Sequence, residues 1–413
     1  MTSTLDPLCP PGSASQTGND GTREDFAASE PGKLNLKDLP RELGRSVGRQ
    51  PGPTLICLGG LHGNETAGVL AIDRVLRSLE SRAANLRGEL ICLVGNRKAL
   101  AAGRRFIDHD LNRAWRPERL ARLLKSPGSG EAEDREQLEL DATLQRIVDE
   151  APGRVFLLDM HTFSGPGSAF AILDDTLPNR EMAMDFPVPL VLGLEEELSG
   201  TLASHLTAQG VTVLGFESGQ HDDPEAVDGA EAAIWVAIDS CGLLEGESRR
   251  RAARARAYLE EMTASSVGIV EVLYRHHIDS QNGFSMVPGF KSFQRVVEGQ
   301  LLGKSANGAI LAPRPGMLLM PLYQDQGEDA FFLVREIRPV WLPISATLRS
   351  WRLERFLHWL PGISRDPDRV DTFVVDWRLA RFFALRLFHL LGFRREGKDG
   401  SSLVMTRRQD LRT

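Results

Sequence analysis

The sequence has no apolar run approaching the ~18 residues that a membrane-spanning helix needs. Its first residues, MTSTLDPLCPPGSASQTGND, carry neither a charged start nor a hydrophobic stretch, so they do not read as a secretory signal. Cysteine is scarce. Cys9, Cys57, Cys92 and Cys241 are too few and too scattered for a disulfide framework or a Cys-based zinc site, and read as small buried hydrophobes. A basic excess is also missing: 49 Lys+Arg stand against 56 Asp+Glu, a net charge of −7, which argues against a general nucleic-acid binder. What remains is a chain of 413 residues, 42% hydrophobic and 25% charged, of ordinary globular composition and long enough for two or three domains. The expectation is a cytoplasmic, mainly globular protein.

Apolar material is thin over residues 1–49, which read as a disordered tail. From Pro53 the texture changes. Thr54–Leu58, Leu90–Val94, Arg154–Met160 and Val211–Phe216 are short apolar runs of the kind that form buried strands. Amphipathic stretches at Glu65–Ser81 and Leu138–Val148, and a helix from Pro224 to Cys241, alternate with them, as in an α/β domain over 50–262 with its sites at strand ends. Short β-prone runs punctuated by Gly and Pro follow the Arg-rich helix at 249–262 and read as a small β-rich domain over 263–338. The last segment, 339–413, is basic and tryptophan-rich. Residues 340–413 hold 14 Lys/Arg and 8 Asp/Glu, and four of the six tryptophans. Its Trp377–Phe388 run, with Arg378, Arg381 and Arg386, predicts a basic amphipathic helix, so the extension is expected to be helical. Packing on the protein's own surface, or against a second copy in a homo-oligomer, is the favoured reading; docking on a membrane or a protein partner is the alternative.

Polar clusters sit at three of the expected strand ends. Gly59-Gly60-Leu61-His62-Gly63-Asn64-Glu65 places a His and a Glu three apart where a strand turns toward a helix, with glycines that allow a tight turn. His161 follows the third strand in Asp159-Met160-His161-Thr162. His, Glu and His make a three-ligand set typical of catalytic zinc, which keeps one coordination position open. Glu217, past the fourth strand, is a carboxylate suited to act as a base. A strand-end histidine alone is commonly a surface or hydrogen-bonded residue. The ordered conjunction of the three clusters is what points to a metal centre.

Between the ligands lies Gly103-Arg104-Arg105-Phe106-Ile107-Asp108-His109-Asp110-Leu111-Asn112-Arg113. GGLHGNETAG, RFIDHDLNR, LLDMHTFSG and a strand-end Glu, in that order, resemble the succinylglutamate desuccinylase/aspartoacylase family over about residues 50–335. The resemblance implies a zinc-carboxypeptidase-like central mixed β-sheet flanked by helices, followed by the β-rich domain narrowing the active-site cleft. It further implies one Zn²⁺ per chain held by His62, Glu65 and His161, with Asp110 orienting a zinc histidine. Asn112 and Arg113 are implied to grip a substrate carboxylate, Arg105 to polarise the scissile carbonyl, and Glu217 to serve as general base. The implied activity is hydrolysis of the amide of a small-molecule N-acyl amino acid. A carboxypeptidase-type peptidase, or a non-catalytic scaffold acting through the basic extension, are the alternatives.

The sequence departs from the family pattern in two places. The arginine that members acting on acidic substrates carry shortly before the catalytic glutamate is missing from Leu206–Gly210. Phenylalanines stand near a tyrosine position at Gly327–Phe332, with Tyr323 as the substitute upstream. Both departures put a dicarboxylic substrate in doubt and leave open whether the substrate is dicarboxylic. Arg97 and Arg104 read as solvated and His109 as a non-ligand; His221 reads as an exposed loop residue before the helix at Pro224, with a place at the site entrance as the alternative, and His276-His277 as structural, with a second metal as the alternative.

Overall fold

Leu55 and Cys57 turn to one face of their strand, Ile56 and Leu58 to the other, and all four are fully buried. A strand apolar on both faces belongs inside a sheet covered by helices on both sides. That is its place in the computed structural model, which describes residues 34–80, 86–126, 130–246, 249–263, 267–278, 283–369, 371–376, 378, 384–399, 402–408 and 410.

The strands through residue 277 are β1 (Glu42–Val47), β2 (Gln50–Gly59), β3 (Arg87–Val94), β4 (Val155–Phe163), β5 (Phe170–Ile172), β6 (Leu190–Leu192), β7 (Thr212–Gln220) and β8 (Ile269–His277). They continue as β9 (Ser285–Met286), β10 (Arg295–Val296), β11 (Leu301–Ser305), β12 (Gly308–Leu311), β13 (Gly316–Leu319) and β14 (Asp329–Ile337). Among the described residues, one mixed sheet of eleven strands runs β1-β3-β2-β4-β7-β5-β6-β8-β14-β13-β10, and a second runs β12-β11-β9. The pairs β2–β3, β2–β4 and β4–β7 are parallel. The chain builds from β2 to β3 on one side, then returns to place β4 on the other. That reversal leaves a crevice at the carboxyl ends of β2 and β4, where open α/β sheets put their sites.

Helices α1 (Ala67–Glu80), α2 (Ala132–Glu150), α3 (Pro224–Ser240) and α4 (Arg249–Met262) cover the sheet. Ile72 and Val75 of α1 and Ile234 of α3 pack with Leu55, Cys57 and Leu158 on one face. Leu140, Leu144 and Ile147 of α2 pack with Ile56, Leu58 and Leu157 on the other. The β-rich stretch after residue 267 continues the main sheet, because β8 pairs in parallel with β6 through Leu190 and Ile269.

Two expectations need correcting. Residues 34–49 are not all tail: β1 pairs antiparallel with β3, and Leu34, Leu36, Leu39 and Leu43 pack on Val69, Val94 and Leu100. An edge strand covered on one face needs few apolar residues, so its composition resembles a loop. Residues 1–33 lie outside the described residues. The C-terminal extension is not simply helical. Helices at Trp341–Ser350 and Ala384–Leu390 accompany a four-stranded antiparallel sheet, with the order β15 (Ile363–Arg365), β16 (Thr372–Asp376), β18 (Ser402–Arg407), β17 (Phe393–Asp399). Alternation decides it: Phe373, Val375, Leu403 and Met405 close a small core with Phe388 and Phe393. Half of the expected Trp377–Phe388 helix, Trp377 and residues 379–383, lies outside the described residues.

This extension docks on the rest of the chain through buried ion pairs. Arg349 donates to Asp175 Oδ2 (2.7 Å) and to the Asp175 carbonyl (2.8 Å), and its side chain is 1% exposed. Arg408 donates to Glu195 (2.6 Å) and Glu196 (2.7 Å). Burial opposes ionisation of Asp175, but Arg349, Arg180 and Arg408 outweigh it and hold the carboxyl far below its ordinary range. Removing one partner of such a cluster strands charge in the interior. Arg349→Met should therefore lower unfolding stability by about 3 kcal/mol, the low end expected for breaking a buried pair because Arg180 and Arg408 remain. Urea unfolding checks this, and an unchanged midpoint contradicts it.

Candidate active site

The loop after β2 owes its path to two glycines. Gly60 has φ of 71°, a region open to glycine at little cost. A Cβ on Gly63 would lie 2.0 Å from the Ala99 carbonyl carbon, so glycine alone lets the loop press onto the short helix at Arg97–Ala102. The path leaves Glu65 ahead of α1, which starts at Ala67, and brings His62 and Glu65 beside the end of β4. His161 sits within β4, and its register partner across the parallel β4–β7 pair is Glu217. The four residues that the sequence places at three strand ends are thus brought together.

Glu65 is the hub. Its Oε1 lies 2.8 Å from His62 Nδ1 and its Oε2 2.9 Å from His161 Nδ1, while the Thr162 N–H donates to Oε2 at 3.1 Å. The far nitrogens are held as well: His62 Nε2 is 3.1 Å from Asp110 Oδ1, and His161 Nε2 is 3.0 Å from Asp159 Oδ2. Burial would raise the Glu65 carboxyl, but His62 and His161 override it and hold it well below the carboxylate range. Burial would likewise lower His161, yet Asp159 and Glu65 push it well up. Glu65, Asp110 and Asp159 surround two imidazoles and Arg105, carboxylates on every side of a site that suits a cation. Two rings with one carboxylate, each ring backed by its own acceptor, are the donor set of a metal centre. His62, Glu65 and His161 therefore fit a divalent metal.

Glu217 differs from the others in having no cationic partner in contact. Its Oε2 is buried without a hydrogen-bond partner, and burial, opposed by His161 and reinforced by Glu65, pushes its carboxyl up to about 8. Such a group gains from a proton donor placed beside it.

The segment from Arg105 to Arg113 forms the next wall. Arg105 donates to Asp110 Oδ2 (3.0 Å) and Glu65 Oε1 (3.3 Å) and reaches the cavity. Asp110 opens a 3₁₀ turn by accepting from the Asn112 N–H at 2.8 Å. Asn112 accepts from the Leu202 N–H at 3.0 Å through its side-chain oxygen. Arg113 reaches the cavity, donating to Asp329 Oδ2 at 3.1 Å, while its Nε is buried and unpartnered.

Several site residues escape the sequence reading. Asp159 stands two before His161 on one strand, so both side chains share a face; the D-x-H spacing was the available signal. His221 is not an exposed loop residue. It lines the cavity, bonding Thr162 Oγ1 (2.7 Å) and Gln324 Oε1 (3.0 Å), because the loop carrying it folds under residues 322–327. Gln324 also accepts from Asn64 (2.8 Å), and Gln326 from the Arg105 N–H (3.1 Å), contacts with no local signature. Tyr323 turns away: its hydroxyl bonds the backbone of Val287 and Phe290. His109 meets Arg119 (2.8 Å), and His276 stacks on Phe331 at 5.1 Å. Cys57, Cys92 and Cys241 are buried free thiols.

Residues 51–227 match the succinylglutamate desuccinylase/aspartoacylase catalytic domain. Over that stretch the chain is similar to this family. A succinylglutamate desuccinylase of Burkholderia lata is 30% identical over 161 residues, covering 38% of this chain and 45% of that protein. One from Paraburkholderia xenovorans is 28% identical over 228 residues, 52% of this chain and 64% of the relative. The chain thus spans less than two thirds of the length of these relatives. The solved succinylglutamate desuccinylase/aspartoacylase from Rhodobacter sphaeroides superimposes with a TM-score of 0.50 at 18% identity, covering 71% of this chain and 88% of that one, a likeness of fold. The match to this domain ends before the extension over 340–413, whose Arg408 nonetheless bonds Glu195 at the cavity.

The geometry predicts a graded response of metal binding. His161→Ala should lose most bound divalent metal, whereas Asp110→Ala and Asp159→Ala should weaken affinity by about 10–100-fold. Metal titration of the purified proteins measures this; full retention in His161→Ala contradicts the assignment.

Proposed function

We propose that this protein is a zinc-dependent deacylase that hydrolyses the amide of an N-acyl amino acid, with His62, Glu65 and His161 holding one Zn²⁺ and Glu217 acting as general base. The observation that carries the reading is the buried Glu217 carboxyl beside His161, its Oε2 without a hydrogen-bond partner, lining the same cavity as the His–Glu–His cluster. A bound zinc supplies Lewis acidity, which makes water a better nucleophile at neutral pH and polarises a carbonyl.

The chain's own residues account for the rest. Glu217 takes the proton of the attacking water as its oxygen bonds to the carbonyl carbon. Arg105 donates to the carbonyl oxygen as that oxygen gains charge. When the C–N bond breaks, Glu217 returns the proton to the leaving nitrogen, so one water is consumed and an acid and an amine are released. Arg113 and the Asn112 amide hold the substrate carboxylate, and this fixes the amide at the reacting groups. Asp110 and Asp159 keep the two rings aimed at Glu65. The Gln324 and Gln326 bonds to Asn64 and Arg105 draw residues 322–329 across the cleft. That narrowing favours a small substrate over a peptide.

Glu217→Gln tests the mechanism, because the amide is isosteric and no metal ligand is lost. Zinc content and melting temperature should stay at wild-type values while kcat falls by about 10²–10⁴-fold with little change in KM. A stable, zinc-loaded, fully active variant rules out Glu217 as the base. Hydrolysis of short peptides in preference to N-acyl amino acids would favour the peptidase alternative.

A further inference from the structure

Phe163, Ile172, Leu194, Leu198, Met320 and Phe332 line the cavity beside His62, Glu65 and His161, and the cavity volume is about 150 Å³. That volume is of the whole cavity, whose lining is both apolar and charged. The charges around it are uneven. Besides the carboxylates of the His–Glu–His region, Asp174, Glu195, Glu328 and Asp329 line it, and the arginines lining it among the described residues are Arg105 and Arg113. Arg105 is engaged by Asp110 and Glu65. Glu195 is compensated from the far side by Arg408, which does not reach the cavity.

Arg113 is partly neutralised. Its Nη2 donates to Asp329 Oδ2 at 3.1 Å, and Asp329 Oδ1 accepts from Arg275 Nε. Arg275 is anchored in turn by donating to the Glu197 carbonyl. Two guanidinium groups sharing one carboxylate carry a single net positive charge. One buried donor of this group, Arg113 Nε, is left without a partner. That arrangement satisfies one substrate carboxylate. A second carboxylate would find Asp174, Glu328 and Asp329 along the walls and no uncommitted cation among the described residues. Burying an unpaired charge beside like charges is costly, whereas an apolar group finds six apolar side chains.

We propose that the substrate carries one carboxylate and an apolar group, as the N-acyl derivative of an apolar amino acid, and that Asp329, held by Arg275, is the residue that excludes dicarboxylic substrates. This inference rests on the amide-hydrolase reading. It assigns Asp329 a specificity role in which it offsets the carboxylate-gripping arginine.

The test is a panel of N-acetyl-leucine, N-acetyl-methionine and N-acetyl-phenylalanine against N-acetylaspartate and N-succinylglutamate, on the zinc-loaded protein. The wild type should favour the apolar set in kcat/KM by at least about tenfold. Asp329→Asn frees a second positive charge and should raise the dicarboxylic-to-apolar ratio by about tenfold, mainly through KM. Arg275→Gln removes a charge instead and should raise KM for every substrate, a second reading if the Asn variant does not fold. Calorimetric binding of the same compounds to zinc-loaded Glu217→Gln protein reads the preference without turnover. Binding that favours the apolar set and shifts with Asp329 supports the specificity even if no amide is cleaved, an outcome that would count against the hydrolase reading alone. A wild type that prefers the dicarboxylic compounds, or binds none of the apolar ones, overturns the proposal, as does an unchanged ratio in Asp329→Asn.

Discussion

A carboxylate buried between two imidazoles is stable only if each ring's other nitrogen also has an acceptor. Glu65 imposes that condition, and Asp110 and Asp159 meet it from a loop and a strand far apart in the chain. The loop after β2 must fold back on the helix at 97–102, β4 must lie next to β2, and the 103–113 segment must return to place Asp110 beneath His62. Two of these requirements fall on backbone, Gly63 against Ala99 and the parallel β2–β4 register, and the third falls on the Asp110 carboxylate, which also caps the turn at 111–113. The sheet therefore works as the device that holds a negatively charged cluster in an interior otherwise built to exclude charge.

The same logic recurs away from the centre. Asp175, Glu195 and Glu196 sit on the elements that follow β5 and β6, and Arg349 and Arg408 come from the last seventy-odd residues to neutralise them. The 340–413 segment carries a positive excess and the rest of the chain a larger negative one. The fold joins the two at this buried seam. Glu195 lines the cavity, so the extension supports one wall of the site although it lies outside the family's catalytic domain.

What was legible in the sequence follows from the range of the forces involved. β2, β4 and β7 announce themselves because a strand buried on both faces must be apolar at every position, as Leu55 through Leu58 are. His62, Glu65, His161 and Glu217 were legible because glycine-bounded strand ends put polar residues where apolar ones would otherwise continue. β1 was not, since an edge strand with one covered face looks like a polar loop. The β-sheet of the extension was obscured by its arginines, which take Glu197 and Glu354 as partners across space. His221 and Asp329 gained their places from loops that meet only in the folded chain, at Gln324 and at Arg113, and nothing local distinguishes them from solvated residues.

The claim on which the whole account turns is that the Glu65 hub is a metal site. Anomalous diffraction at the zinc absorption edge, on crystals of zinc-loaded full-length protein, tests it most directly. The account predicts one strong peak between His62 Nδ1, His161 Nδ1 and the Glu65 carboxylate, within reach of Glu217. A crystal with no peak there, or with its zinc at His109, Glu131 and Asp134 instead, would contradict it.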